Sequence, residues 1–288
     1  MKRLLLLPAL LLFALPALAV SPEDAQLDIA CLREAYPGFI LNVKNGSGGA
    51  ILLETSTGET IVYDDGKAKT LKEELENADI EDSMRRPFPL EPDRPHLTPE
   101  PEPGRIRSMP LLKALYGHDK PAVLRNVTRM PLANESIQAH KRLQKALNAL
   151  QAELKPLLAA RPDLAKYCKS MGCQYWRVIA GTSRLSPHSF GIAIDMNPKI
   201  ATYWQWSGMK RHPQQDSYPG EIVALFEKHG FIWGGKWPHY DIMHFEYRPE
   251  LICKARRLRA AQQRPVLQKP VQRKPAPRKA DFPAPHED

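Results

Sequence analysis

Two short stretches of the chain carry residues whose types and spacing suit a catalytic metal. The first is His188-Ser-Phe-Gly-Ile-Ala-Ile-Asp195, and the second is Asp241-Ile-Met-His244. A catalytic zinc typically takes three protein ligands from histidine nitrogen and carboxylate oxygen, and it keeps a fourth position for water. His188, Asp195 and His244 supply such a set, which predicts a Zn²⁺ site. Asp241 is left over as a candidate base.

The same residue types also indicate a reaction. Zinc makes its bound water more acidic and polarises a carbonyl group. A carboxylate beside that water can take its proton and later pass it to a leaving amine. Asp241 lies three residues before His244, which is close enough for it to share the surroundings of the metal without being a ligand. This combination predicts amide hydrolysis.

The motifs resemble those of the LAS-type zinc peptidases of bacterial cell walls. That family includes D-alanyl-D-alanine carboxypeptidases and dipeptidases, L-alanyl-D-glutamate endopeptidases and, more remotely, the hedgehog signalling domain. Its pattern is present here as Ser186-Pro-His188, Gly191-Ile-Ala193-Ile-Asp195 and Asp241-Ile-Met-His244-Phe-Glu246. The resemblance is most specific over residues 175–198 and 230–247. It extends from about residue 103 onward and does not reach the N-terminal segment or the tail.

The resemblance implies a role for each matching residue. By it, His188, Asp195 and His244 bind zinc, and Asp241 is the general base. Arg177 is the arginine that binds the carboxylate or carbonyl group of the substrate. Arg184 lies nearer to the metal-binding stretch and is the alternative for that role. Glu246 either orients a ligand or is a surface charge, and Trp237 is a candidate wall of the cleft.

The resemblance also implies a substrate. The expected partners are peptidoglycan stem peptides or crosslinks, from which a terminal D-alanine is trimmed or in which an internal bond is cut. An alternative from another class is a non-catalytic peptidoglycan-binding module that keeps the fold and the metal. The intact Asp241 argues against this alternative, because a pure binding module has no need for a base.

The N-terminus predicts export. Lys2 and Arg3 precede an apolar run over residues 4–18, and Ala17-Leu-Ala19 has the small residues of a cleavage site. This pattern is typical of a secretory signal peptide over residues 1–19 that is cleaved after Ala19. We therefore expect a periplasmic or secreted protein. No cysteine follows the cleavage site directly, so a lipoprotein anchor is not expected.

Four cysteines fit an oxidising compartment. Their spacing lacks the paired Cys-x-x-Cys units of structural zinc sites, so disulfides are the favoured interpretation. Of the three possible pairings we prefer Cys168 with Cys173, which closes a short loop, and Cys31 with Cys253. The second bond would tie the N-terminal segment to the end of the catalytic region. Free buried thiols are the alternative.

The excess of positive charge lies at the two ends of the chain. Residues 254–288 carry ten Lys or Arg and three Asp or Glu, a net charge of +7 that, with Lys2 and Arg3, accounts for the whole-chain +9. Because the body is close to neutral, no nucleic-acid partner is expected. We also expect a monomer. The basic, proline-rich tail over residues 255–288 predicts disorder. It could contact anionic wall polymers or lipid headgroups, although a solubilising extension explains it equally well.

The order of predicted elements indicates an α+β fold. We expect a small N-terminal element with short strands over residues 20–86, a proline-rich linker or strap over residues 87–103, and a catalytic domain over residues 104–254. Helices are predicted over residues 111–116, 135–158 and 219–229. Strands are predicted over residues 176–181, 190–196 and 244–247. Together they predict a small, largely antiparallel sheet flanked by helices, with zinc in a cleft on the sheet.

Overall fold

The computed structural model of the protein describes residues 20–94, 102–169 and 171–263. Within them the chain forms an α+β fold with three small antiparallel sheets, so the predicted fold class is confirmed. The helices are α1 Pro22–Ala35, α2 Leu71–Asn77, α3 Ile80–Met84, α4 Met109–Tyr116, α5 Lys120–Leu124, α6 Gln144–Ala160, α7 Trp204–Ser207, α8 Gln214–Ser217, α9 Gly220–Lys228 and α10 Pro249–Gln263. In this part of the chain no helix is long and apolar enough to cross a membrane.

The strands fall into an N-terminal, a middle and a C-terminal sheet. They are β1 Ile40–Asn45, β2 Ile51–Thr55, β3 Thr60–Asp64, β4 Val127–Leu132, β5 Glu135–His140, β6 Ala193–Asp195, β7 Phe231–Trp233 and β8 His244–Tyr247. The strand orders are β1-β2-β3, β4-β5 and β6-β8-β7. β8 is the central strand of the C-terminal sheet, and its Phe245 packs against Phe226 of α9 with ring centroids 4.4 Å apart. This apolar contact fixes the sheet that carries the second motif.

The N-terminal element is joined to the end of the catalytic region. α1 packs against α10, and the Cys31–Cys253 disulfide links the two helices, as predicted. Beside it, the buried Lys254 Nζ lies 2.7 Å from Asp28 Oδ1. Because a buried charge needs a partner, this ion pair favours one docking of the two helices.

We expect loss of the Cys31–Cys253 bond to cost about 2–5 kcal/mol in the free energy of unfolding. The bond joins residues that are 222 positions apart, so it restricts a long loop of the unfolded chain. The double variant Cys31→Ser/Cys253→Ser, compared with the oxidised wild type by urea unfolding, measures this. An unchanged unfolding midpoint in the double variant would contradict the expectation.

Residues 87–94 run over the catalytic region as a strap. The Arg94 guanidinium donates to the backbone carbonyls of Gln215, Asp216 and Tyr218 at 2.8–2.9 Å. The buried Lys236 Nζ donates to the Pro89 carbonyl at 2.8 Å. The proline-rich segment predicted as a linker or a strap therefore begins with residues that are bound to the surface.

One helix prediction is wrong in its first part. Residues 135–140 form strand β5, and helix α6 begins only at Gln144. In β5, Ile137 and Ala139 are buried and alternate with exposed residues, which is the period of a strand. β5 pairs with β4 from Val127 opposite His140 to Leu132 opposite Glu135. Residues 135–140 therefore form a strand because they pair with the preceding strand β4.

The strands predicted before and within the first motif are also corrected. Residues 176–181 form no regular strand and make only one bridge, between Val178 and Leu185. Of residues 190–196 only β6 is a strand. The preceding Pro187–Phe190 is a 3-10 turn, and Gly191 follows it with a φ of 67°. A Cβ at Gly191 would lie 3.0 Å from the His140 backbone nitrogen, so the chain needs glycine here.

The predicted Cys168–Cys173 disulfide is not present, and both residues are buried thiols. The backbone around Cys173 is bound elsewhere: the Cys173 carbonyl lies 2.6 Å from His188 Nδ1, and the Gly172 nitrogen donates to the Asp195 carbonyl at 3.1 Å. Burial raises the pKa of both thiols, which keeps them protonated. The alternative of free buried thiols applies to this pair.

The first part of the segment predicted as a basic tail, up to residue 263, is helical. α10 continues to Gln263, and residues 264–288 lie outside the described part of the chain. Arg256 donates to the carbonyls of Glu227 and Lys228 at 3.0 Å, and Arg259 donates to the Leu90 carbonyl at 2.7 Å. Arg256 and Arg259, which the sequence pattern placed in a disordered tail, therefore bind to the folded part of the protein. The predicted signal peptide over residues 1–19 also lies outside the described residues.

Candidate active site

The C-terminal sheet brings the two motifs together. Asp195 ends β6, His244 begins β8, and the two residues are directly paired in the antiparallel register. His188 lies on the 3-10 turn Pro187–Phe190 that leads into β6, and the Ser186 hydroxyl caps this turn. The backbone of Gly172 holds β6 from the other side, since the Asp195 nitrogen donates to its carbonyl at 2.7 Å. The two motifs, in which Asp195 and His244 are 49 positions apart, therefore meet where β6 ends and β8 begins.

His188, Asp195 and His244 form a group with the geometry of a metal site. One ligand atom from each lies within 4.8 Å of the other two. Asp195 Oδ1 lies 3.1 Å from His188 Nε2 and 3.1 Å from His244 Nδ1. Burial acts to raise the pKa of Asp195, but the two histidines outweigh it and hold that pKa well below its usual range. The carboxylate is therefore ionised, as a ligand must be.

The contacts of His188 leave one ring nitrogen for a metal. Nδ1 lies 2.6 Å from the carbonyl oxygen of Cys173, which can only accept, so Nδ1 carries the proton. Nε2 is buried and faces Asp195 Oδ1 at 3.1 Å, but it forms no well-aligned hydrogen bond among the described residues. A metal-binding histidine typically donates one ring N–H to a carbonyl or carboxylate and so keeps its other nitrogen for the metal. The residues present fit Zn²⁺.

His244 is held in the same way by a buried carboxylate. Its Nε2 lies 3.3 Å from Glu246 Oε2, which leaves Nδ1 facing Asp195. Glu246 also accepts two hydrogen bonds from Arg107 Nε at 2.9 Å and one from Arg107 Nη2 at 2.6 Å. Burial acts to raise the pKa of Glu246, but the charge of Arg107 outweighs it and lowers that pKa strongly. Glu246 is thus a fixed anion behind His244 rather than a surface charge.

We expect Glu246→Gln to weaken Zn²⁺ binding about 10–100-fold, the usual effect of losing a group that orients a metal ligand. The amide would remove the charge that holds Nε2 of His244 and would leave Arg107 without its partner. Competition with a chromogenic chelator measures the Zn²⁺ affinity. Glu221→Gln, at an exposed ion pair on α9, is the control. Equal affinities of the two variants would refute this role for Glu246.

Asp241 lies in the same cleft as the group, with a buried carboxyl whose Oδ1 has no hydrogen-bond partner among the described residues. Its backbone nitrogen donates to the Gly234 carbonyl at 3.0 Å, and its carbonyl accepts from the His244 nitrogen at 3.2 Å. A Cβ on Gly234 would lie 2.7 Å from the Asp241 oxygen, so glycine permits this approach. Burial raises the pKa of Asp241 to about 6, although the charge of His244 opposes the shift. That value suits a base working near neutral pH.

The cleft above these residues has a volume of about 360 Å³. Its walls carry aromatic side chains from two segments, namely Tyr203, Trp206 and Trp237. Trp237 is a cleft wall as predicted, and its ring centroid lies 5.6 Å from that of His244. His239, which is a fallback candidate for the base, also lines the cleft and bonds Glu102 through Nδ1.

Both candidate arginines, Arg177 and Arg184, line this cleft. The positive charge of Arg177 is among the charges that oppose the rise in the pKa of Asp241, after that of His244. Two further arginines, Arg105 and Arg107, lie in the same walls, and the sequence analysis missed both. The cleft is therefore lined by cations around a small group of acids and histidines.

Other candidate sites are explained without a ligand. The acidic side chains of Asp65, Asp79 and Asp82 have basic partners, since Lys69 Nζ lies 3.1, 2.8 and 2.6 Å from them and Arg85 Nη2 lies 2.9 Å from Asp82. A larger cavity of about 730 Å³ lies between α1, α10 and the strap, away from the histidines. We place the candidate active site at the smaller cleft because it holds the His–Asp–His group.

Comparisons with known proteins agree with this placement. Residues 180–247 match the model of a family described as D-alanyl-D-alanine carboxypeptidase. Searches of curated proteins and of solved structures gave no match. The matched segment contains His188, Asp195, Asp241 and His244, and it confirms the resemblance to the LAS-type peptidases. The match and the site together support a peptidase.

Proposed function

We propose that the protein is an exported zinc metallopeptidase that hydrolyses amide bonds in the peptide part of peptidoglycan. The observation that carries the proposal is the His188–Asp195–His244 group with Asp241 in the same cleft, within the segment that matches a peptidase family. The Cys31–Cys253 disulfide supports export, because such bonds persist in oxidising compartments. The description of the matched family favours removal of a terminal D-alanine.

In the proposed mechanism His188, Asp195 and His244 would hold Zn²⁺ by the three ligand atoms that face one another. Zinc held there supplies Lewis-acid chemistry, which polarises the scissile carbonyl and makes water more acidic. Asp241 accepts the proton of the attacking water and returns it to the leaving amine. Arg177 binds the carboxylate or the developing oxyanion of the substrate with its fork of donors.

Mass analysis of muropeptides after incubation with the purified zinc-loaded protein tests this function. Loss of one terminal alanine identifies a carboxypeptidase, and scission of a stem or crosslink identifies an endopeptidase. An unchanged muropeptide profile, together with binding to sacculi, would favour the alternative of a non-catalytic module that keeps the metal site.

A further inference from the structure

A row of four aromatic rings borders the cleft. The rings of His239, Trp204, Tyr203 and Trp206 meet edge to face, with successive ring centroids 4.5, 5.9 and 5.7 Å apart. Three of the four residues, His239, Tyr203 and Trp206, line the cleft. The last ring of the row is that of Trp206, which is 69% exposed. The row therefore ends in an open aromatic surface at the rim of the cleft.

The backbone fixes this row beside the candidate base. Tyr203 and Asp241 form an antiparallel bridge, and the Trp204 nitrogen donates to the Tyr240 carbonyl at 3.0 Å. Helix α7 follows the bridge at once, and the Trp206 nitrogen donates to the Tyr203 carbonyl at 2.9 Å. The position of Trp206 is therefore tied to the segment that carries Asp241.

The groups at this rim match the chemistry of a sugar. A pyranose ring has C–H groups on its faces, which pack on an aromatic ring, and hydroxyls around its edge, which need hydrogen-bond partners. Trp206 offers the aromatic face. The exposed Gln205 also lines the cleft, and its amide can both donate and accept hydrogen bonds. Residues 201–208 carry no charged side chain, which favours a neutral ligand at this position.

We propose that Trp206 and Gln205 form a sugar-binding position at the rim of the cleft, so that the protein prefers stem peptides that are still joined to the glycan strand. This inference rests on the proposed peptidase function. In peptidoglycan the N-terminal end of each stem peptide is attached to an amino sugar, so a bound stem brings that sugar with it. A cleft of about 360 Å³ is at the small end of ligand pockets and holds only part of such a glycopeptide. The sugar then lies outside it, on the exposed ring.

Two synthetic substrates that share one stem pentapeptide test the proposal. One carries the muramyl disaccharide of the glycan strand at its N-terminus, and the other carries only a lactyl group, so neither has an N-terminal charge. With the zinc-loaded wild type we expect kcat/KM to be higher for the disaccharide substrate, on the order of 10-fold, through a lower KM. In Trp206→Ala this ratio should fall toward one, whereas Trp206→Phe keeps an aromatic face and should retain most of it. A wild-type ratio of one, or an unchanged ratio in Trp206→Ala, would overturn the proposal.

Tyr175→Ala is the matched control for the loss of an exposed aromatic ring. Tyr175 is 67% exposed but does not line the cleft, so this variant should keep the wild-type ratio. An equal fall of the ratio in Tyr175→Ala and Trp206→Ala would show that the preference does not depend on the ring at the cleft, and it would reject the proposal.

Binding measurements separate failure of this proposal from failure of the proposed function. If neither substrate is cleaved, the proposed function fails. Calorimetric affinities of the two substrates for the zinc-loaded wild type then still decide the sugar-binding position, because equal affinities would reject it. The competing partner is an anionic lipid surface, which the exposed Met209 and Lys210 after α7 would suit. Binding to phosphatidylglycerol vesicles that Trp206→Ala abolishes, together with a substrate ratio of one, would assign this surface to a membrane instead.

Discussion

Replacement of His244 by alanine is expected to abolish both Zn²⁺ binding and peptide hydrolysis. A catalytic zinc site typically has three protein ligands, and the affinity for the metal depends on each of them. Nδ1 of His244 lies 3.1 Å from Asp195 Oδ1, so its removal opens one side of the group. The same loss of metal occupancy is expected for His188→Ala and Asp195→Ala. Metal content by atomic emission and hydrolysis of a stem peptide measure the two effects.

His229→Ala is the matched control for this series. The His229 ring bonds Glu153 of α6 and does not line the cleft, so its loss should leave metal content and activity unchanged. In the wild type, a chelator should abolish hydrolysis, and added Zn²⁺ should restore it. A fully occupied and active His244→Ala protein would show that the ligand assignment is incorrect.

The metal group could be predicted from the sequence because its residues lie in short local motifs. The strand at residues 244–247 was predicted correctly, and its pairing with β6 sets Asp195 opposite His244. The alternation around Asp195 suggested a longer strand than β6. Phe190 belongs instead to the turn Pro187–Phe190, which also carries His188. The residue types were therefore more informative than the element boundaries.

Of the groups that support the ligands, only Glu246 could be proposed from a local pattern. Arg107 and Glu246 are 139 positions apart, and no sequence motif contains both of them. Their contact could therefore not be predicted. Cys173 supports His188 through its backbone carbonyl, which any residue could supply. The only available signal was the position of Glu246, two residues after His244 on a strand, which puts both side chains on one face.

The errors in the sequence-based fold have a common physical cause. Residues 135–140 contain apolar positions that fit a helix or a strand, and the preceding strand β4 decides the outcome by pairing. The Cys168–Cys173 prediction relied on short spacing. In the structure the backbone around Cys173 forms hydrogen bonds elsewhere. Gly172 pairs with the backbone of Asp195, and the Cys173 carbonyl accepts a hydrogen bond from His188. Tertiary contacts override local preference in both cases.

Asp241→Asn is expected to lower turnover on the order of 10²–10⁴-fold while the protein keeps its zinc and its fold. The amide is nearly isosteric with the carboxyl, and the side-chain Oδ1 has no hydrogen-bond partner among the described residues to lose. The variant loses the ability to accept a proton. In the wild type the pKa of Asp241 is about 6, which suits a group that accepts a proton near neutral pH. Single-turnover hydrolysis of a stem peptide measures the effect, with metal content determined on the same samples.

The control for this variant is Asp163→Asn, which changes an exposed acid paired with Arg161 and should leave turnover unchanged. The zinc content of each variant distinguishes the loss of the base from the loss of the metal site. Only the variants at His188, Asp195 and His244 should lose zinc. A zinc-loaded Asp241→Asn protein with near-normal turnover would require another base. His239 would then be the first candidate, since it lines the cleft and is held by Glu102, whereas Glu246 is committed to His244 and Arg107.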